Sequence, residues 1–262
     1  MKKSNMAQAA AAAALLLTAM ALTSLYLSHR QTSRTGTVAL PPEQSGPAGQ
    51  PAEPGPMADG VAVDTGNVLR VIRTLDRPRE YTFEVESTLS YYSVSDTLRV
   101  RGAVKGRRSK LQMVSAAGAV EKEVVVAPSG YYAWQAGQAS LYSGALGGDW
   151  PQDGDLAAFC DEASRIPTYE DVLALGEQNP DCLLDAGYAQ RDGQACIYVL
   201  VDNPLSGAQD SYYISIDTGL LYEACSEKKG RIIYQMKQTA FQREAVAESQ
   251  FTLPNGQQIT EE

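Results

Sequence analysis

The sequence predicts an α+β chain built on a single, strongly curved antiparallel β-sheet, with helices on its concave face and a transmembrane helix ahead of it. Three observations carry this. Short strand-like runs follow one another through turn chemistry rather than through helices. They form two meanders, of about six and then about five strands, on either side of a helical insert. An apolar run near the N-terminus is long enough to cross a bilayer. Helices do not alternate with strands, which excludes a doubly wound parallel sheet.

The N-terminal element comes first. Lys2 and Lys3 precede a charge-free run of 21 residues from Ala7 to Leu27. As a helix it would measure about 31 Å, against a hydrocarbon core of about 30 Å. A cleaved signal has a shorter apolar region, and Ala19-Met20-Ala21 is its candidate cut site. Both readings export the rest of the chain. The expected organisation is therefore a membrane anchor or signal segment over 1–27, a Pro/Gly-rich linker over 28–60 and one domain over 61–262. The linker holds six of the chain's 13 prolines and too few apolar residues to build a core. The expected location is the cell membrane, single-pass, with the C-terminal domain outside the cytoplasm.

Charge is uneven. Residues 62–112 carry ten Lys/Arg against six Asp/Glu, giving +4, whereas residues 149–262 carry seven against twenty, giving −13. The acidic half argues against nucleic acid as a partner. Cys160, Cys182, Cys196 and Cys225 all fall in the exported domain. An even count in an oxidising compartment suggests two disulfides. Three pairings are open, and Cys160–Cys182 with Cys196–Cys225 is the one carried forward. His29 is the only histidine and no Cys-x-x-Cys occurs, so neither a metal site nor any other cofactor site is expected.

Within the domain, Asp64 reads as an N-cap. Val68, Leu69, Ile72 and Leu75 recur at helical spacing, and Pro78 ends the pattern, predicting a helix from about Thr65 to Asp76. Six strand-like runs follow: "EYTFEVESTLSYYS", "DTLRVRGAVKG", "SKLQMVSA", "EKEVVVAP", "GYYAWQA" and "ASLYSG". "GALGGDWPQDGD" is a loop, and "DLAAFCDEASRI" and "PTYEDVLALGEQN" read as short helices. Five more strands follow: "CLLDAGYAQ", "QACIYVLVD", "SYYISID", "LLYEACSE" and "RIIYQMKQTAF". Turn residues join them. The tail "FTLPNGQQITEE" reads as an edge segment.

Two Asp-Thr-Gly triplets, at Asp64 and Asp217, raise the question of a carboxylate dyad. Such a dyad needs two similar β lobes that hold the acids face to face. Here the first triplet enters a predicted helix, and 45 residues after Asp217 cannot make a second lobe. A turn explains the second triplet. A three-residue loop over Asp217–Gly219 would pair Ile216 with Leu220, Ile214 with Tyr222 and Tyr212 with Ala224, all on one apolar face. A second loop over Glu227–Lys229 would add Ile232, Tyr234 and Met236. No catalytic residues are assigned, because no Ser, Cys or His nucleophile motif and no phosphate loop occurs. Asp149, Asp153 and Asp155 lack the spacing of a calcium loop.

The stretch "YYISIDTGLLYEACSEKKGRIIYQMKQTAFQREAVAESQFTLPNG" resembles the C-terminal strands of the LolA/LolB-like lipoprotein-carrier superfamily, which includes RseB-type sensor domains. An aromatic strand ends in Asp, then come a Thr-Gly turn, a strand, a Lys-Lys-Gly turn, a third strand and a closing Phe-Thr-Leu-Pro. The resemblance implies an incomplete β-barrel roofed by helices, with an apolar cavity for acyl chains. It also implies a carrier, acceptor or sensor rather than an enzyme. The anchor and stalk suit holding a lipid or lipoprotein near the chain's own membrane better than shuttling. Alternation nominates Phe83, Val85, Leu98, Val100, Leu111, Met113, Tyr132, Trp134, Tyr212, Ile214, Tyr222 and Tyr234 as inward-facing cavity candidates. The alternative is a structural or protein-interaction domain of an envelope complex, with the same fold and a filled core. Partners beyond the membrane and an apolar ligand, and the oligomeric state, are not specified.

Overall fold

A computed structural model describes residues 61–91, 94–145, 166–204 and 206–261. The apolar run over 7–27, the linker, Cys160 and the acidic loop at Asp149 lie outside them. No helix among the described residues is long and apolar enough to cross a membrane.

All eleven expected strands are present: β1 (Glu80–Tyr91), β2 (Val94–Lys105), β3 (Arg108–Val114), β4 (Val120–Ala127), β5 (Gly130–Gln135), β6 (Tyr142–Gly144), β7 (Leu183–Arg191), β8 (Gln194–Asn203), β9 (Ala208–Ser215), β10 (Leu221–Lys228) and β11 (Arg231–Gln242). They form one antiparallel sheet in the order β6-β5-β4-β3-β2-β1-β11-β10-β9-β8-β7. The sheet is open, with β6 and β7 at its ends. Among the described residues two α-helices accompany it, α1 (Val68–Thr74) and α2 (Tyr169–Gln178); the helix expected at "DLAAFCDEASRI" lies outside those residues but for its last one. The described residues fall into two compact units, one of residues 78–170 and 236–261, the other of 61–77 and 171–235.

In the first unit, alternation sets the faces. Phe83 faces Gly102, Val85 faces Val100, and the paired neighbours carry the pattern on to Leu111 and Met113, then Val124 and Val126. The other face of β1 and β2 carries polar cross-strand pairs. Arg99 donates to Glu86 at 2.8 Å and Arg101 to Glu84 at 2.7 Å. The tail is a strap rather than an edge strand. After a 3-10 turn over Glu248–Phe251, a single bridge joins Thr252 to Gln258. Val246, Phe251, Leu253 and Ile259 form one apolar cluster with Ala103, Val125, Ala127 and Trp134. Arg108, only 4% exposed, fixes the strap. Its guanidinium donates to both Glu248 oxygens, at 2.7 and 3.1 Å, and to the Ile259 carbonyl at 2.7 Å.

In the second unit, α1 starts three residues later than predicted. Asp64 builds a turn ahead of the helix, where its Oδ1 accepts from the Gly66 and Asn67 amides at 2.9 and 3.0 Å. α1 lies against β8, and Leu69 on α1 touches α2 at Gly176. Ile197, Val199, Val201, Ile214 and Val172 have no exposed surface at all.

Two turn registers differ from expectation. The β9–β10 turn is one residue longer. Gly219 N donates to Ser215 O at 2.8 Å and Ser215 N to Leu220 O at 2.9 Å, so Ile214 pairs with Leu221. A bulge at Tyr222 then restores the predicted pairing of Tyr212 with Ala224. The β10–β11 turn is a two-residue one, with positive φ at Lys229 and Gly230, and Ile232 is 47% exposed.

Candidate functional site

The twelve candidates separate into groups. Phe83, Val85, Leu98, Val100, Leu111 and Met113 do share one face of the first unit's sheet. Val100 is 1% exposed, whereas Phe83, Leu98 and Leu111 keep part of their surface in solvent. The Phe83 ring lies across Gly102, where a Cβ would sit 2.1 Å from ring carbons. Glycine at that place lets the ring lie flat on the sheet.

Tyr132 and Trp134 lie on the opposite face. Val124 pairs with Ala133 and Glu123 with Trp134, which puts the two aromatics beside Val125 and under the strap. The Trp134 indole donates to Glu123 at 3.1 Å, and Lys110 pairs with the same carboxylate at 2.7 Å. Burial pushes the Glu123 pKa up, but donors from Lys110, Gln112 and Trp134 outweigh it and leave the carboxyl below its usual range.

Tyr212 and Ile214 belong to the sealed face of the second unit. The Tyr212 hydroxyl donates to buried Asp210 at 3.2 Å. Burial first, and then that carboxylate, raise its pKa far above the ordinary phenol value. Tyr222 is the bulge residue. It leaves the Ile214 face and donates to Asp192 at 3.0 Å. Tyr234 is half-buried.

Sequence reasoning missed Val124, Val126 and Ala133, which continue the first unit's apolar face. Met113, Val124 and Ala133 form its buried cluster, with Leu98, Leu111, Val126 and Tyr142 packed against it. The run of three valines in "EKEVVVAP" does not alternate. Only the pairing of Leu111 with Val124 says which two of them face this way.

The described cysteines overturn one expected pairing, Cys196–Cys225, while Cys160, the partner expected for Cys182, lies outside the described residues. Cys182, Cys196 and Cys225 are free thiols. Cys196 pairs with Ser215 and Cys225 with Ser211, on either side of β9. Two strand spacings across and four residues along separate them by roughly 16 Å, against an upper limit of about 7 Å between Cα atoms for a disulfide. Burial, the leading cause, pushes the Cys196 thiol up to about 12.

The Asp-Thr-Gly triplets do not form a dyad. Asp64 and Asp217 are both exposed, and the Asp64 carboxylate is engaged in its own turn. Gly219 has φ +66°, and a Cβ there would meet Arg77 Cγ at 2.7 Å and the Asp76 carbonyl at 2.8 Å. Arg77 donates to the Gly219 carbonyl at 3.0 Å and to the Ile72 and Leu75 carbonyls at 2.7 and 3.0 Å. The triplet therefore ties the β9–β10 turn to the end of α1. No group of three or more metal-ligating side chains occurs among the described residues.

A pocket of about 220 Å³ opens on the strap side of the first unit, lined by residues that include Thr82, Lys110, Gln112 and Gln250. Of the twelve candidates only Phe83 borders it. It is half polar and below the usual ligand-pocket range of about 300–1,000 Å³.

No protein-family model matches this chain, and no curated protein does. Solved structures do. An uncharacterized conserved protein from Thermus thermophilus is 10% identical with a TM-score of 0.42, covering 66% of this chain and 83% of that one. A LolA superfamily protein from Nitrosomonas europaea is 9% identical with a TM-score of 0.35, covering 74% and 100%. A DUF1329 family protein from Desulfovibrio piger is 10% identical with a TM-score of 0.37, covering 74% and 98%. All three TM-scores lie below 0.5, so function is argued below from this chain's own residues.

Proposed function

We propose that this chain is an exported, membrane-tethered binding module, not an enzyme, that holds the acyl chain of a lipid or lipoprotein against the apolar face of its first unit. One observation carries the reading. Phe83, Leu98, Leu111 and Val126 share one apolar face around buried Val100, Met113 and Val124, and keep part of their surface exposed. Apolar side chains in contact with water gain about 25 cal/mol per Å² when a ligand covers them. The resemblance of the C-terminal strands to lipoprotein carriers and the charge-free run over 7–27 support the same reading.

The test is mass spectrometry of lipids that co-purify with the full chain extracted from its membrane. The wild type is expected to carry an acyl lipid or lipopeptide above the detergent background, and a Leu98→Lys/Leu111→Lys variant to lose it. A wild type at background, or equal retention by the two proteins, would overturn the reading. The alternative, an interaction domain with a filled core, draws on the second unit, where Ile197, Val199, Val201 and Ile214 have no exposed surface.

A further inference from the structure

The two ends of the sheet are unlike. The edge at β6 is three residues long, too short to template another strand. The edge at β7 is nine residues long, and Asp185 and Arg191 are its only charged residues. β7 pairs with β8 alone among the described strands.

Register tells which backbone groups face outward. The β7–β8 turn has two residues, Asp192 and Gly193, both with positive φ, and it closes on the pair Arg191 and Gln194. That closing pair exchanges both hydrogen bonds in a two-residue hairpin, and bonded pairs then alternate along the ladder. Arg191, Ala189 and Gly187 therefore point their amides and carbonyls at β8. Gln190, Tyr188 and Ala186 point theirs away. An independent contact agrees: the Ala186 amide is held by the Asp185 carboxylate at 2.8 Å instead of by β8. The Ala195 carbonyl, on the far side of β8, accepts from Ile216 at 3.0 Å, as the same alternation requires.

We infer that the β7 edge pairs antiparallel with β7 of a second copy of this chain, on a two-fold axis at Tyr188. Any other register along this edge bonds outward groups over a shorter length or leaves its charges unmatched. Centred on Tyr188, the pairing sets Ala186 opposite the second copy's Gln190 and Tyr188 opposite its own counterpart. All of those residues have outward-facing groups. It also sets Asp185 opposite the second copy's Arg191, with both side chains on one face of the sheet. The Ala186 amide exchanges its Asp185 acceptor for the Gln190 carbonyl of the other copy. That exchange frees the Asp185 carboxylate to meet the arginine. Arg191 stacks on Tyr213 at 4.0 Å, donates to its hydroxyl and lies 3.9 Å from Glu223, yet it is 41% exposed, so its charge can also reach the partner's Asp185. Gly187 leaves open space on that face, where a Cβ would meet nothing within 4 Å, so the facing Ala189 has room. The inference is independent of the ligand reading.

Site-specific crosslinking of the full chain tests it. Tyr188→Cys places a thiol on the axis and is expected to give a covalent dimer under mild oxidation, above the wild type treated alike. Gln190→Cys is expected to give none, because its thiols would lie about 13 Å apart along the strands. Equal crosslinking at both sites, or none at either, overturns the proposal. Tyr188→Pro removes an amide that bonds nothing in β8, so the fold should survive. The dimer mass in light scattering should fall to that of one chain, while circular dichroism stays that of the wild type. Asp185→Arg guards against a Pro variant that fails to fold. It should shift the monomer–dimer midpoint at least tenfold to higher concentration, and an unchanged midpoint in a folded variant overturns the inference.

Discussion

The two units present apolar sheet faces of similar composition, yet they differ in how completely those faces are filled. In the second unit, Ile197, Val199, Val201 and Ile214 have no exposed surface, and two short helices accompany the strands. In the first unit, Val85, Val100 and Met113 are buried, but Phe83, Leu98, Leu111 and Val126 keep part of theirs. The strap does not account for this, because it packs on the other face, against Val125 and Trp134. The apolar face is thus fully covered in one unit and partly exposed in the other. Strand alternation alone produces both, and the covering decides which is which.

The largest expected effect separates them directly. Ile214→Ala removes a fully buried side chain and should cost about 3 kcal/mol in urea denaturation. Leu111→Ala, on the partly exposed face, should cost about 1 kcal/mol, because less area leaves water on folding. Equal costs would break the comparison, and with it the case for ligand binding on the first unit.

Much of this was legible in the sequence. All eleven strands, and the two of the three expected helices that fall on described residues, stand close to where periodicity and turn residues put them, because β-branched and aromatic residues alternate within clear punctuation. Six cavity candidates share a face because β1, β2 and β3 alternate cleanly. The failures have a common cause in non-local or single-residue events. "GYYAWQ" is apolar on both faces, so alternation could not orient Tyr132 and Trp134. The strap that covers them comes from more than a hundred residues away. Tyr222 left its expected face through one bulge, an insertion no periodic pattern signals. Lys229 takes a positive φ that its side chain gives no hint of, which made the second turn one residue shorter than expected.

The seal of the second unit can be loosened at one glycine. Gly219→Ala would place a methyl 2.7 Å from Arg77 Cγ, at a residue with φ +66°. The strain should cost about 2 kcal/mol. It should also raise hydrogen exchange in α1, since Arg77 bridges the turn to the last carbonyls of that helix. A variant as stable as the wild type would show that the triplet is an ordinary turn, and that the seal does not depend on it.

The smallest effect concerns the strap, and it is read as a pH slope. Hydrogen bonds from Arg108 and then Lys105 hold the Glu248 pKa down at about 2. The unfolded chain would titrate this group at about 4.3. A carboxyl depressed in the folded state contributes stability that is complete above the unfolded value and is lost as pH falls through the folded one. Between about pH 5 and pH 2 the strap of the wild type should therefore loosen, seen as lower amide protection over residues 246–259 relative to the intrinsic exchange rate at each pH. Glu248→Gln carries no titrating carboxyl there, so its strap should be less protected at pH 6 and show a shallower loss of protection on acidification. Because the strap covers only the Trp134 face, lipid retention on the Leu111 face should be the same in both proteins at neutral pH. A variant that matches the wild-type slope would remove Glu248 from the clamp. One that also loses lipid would show that the two faces of the first unit are not independent.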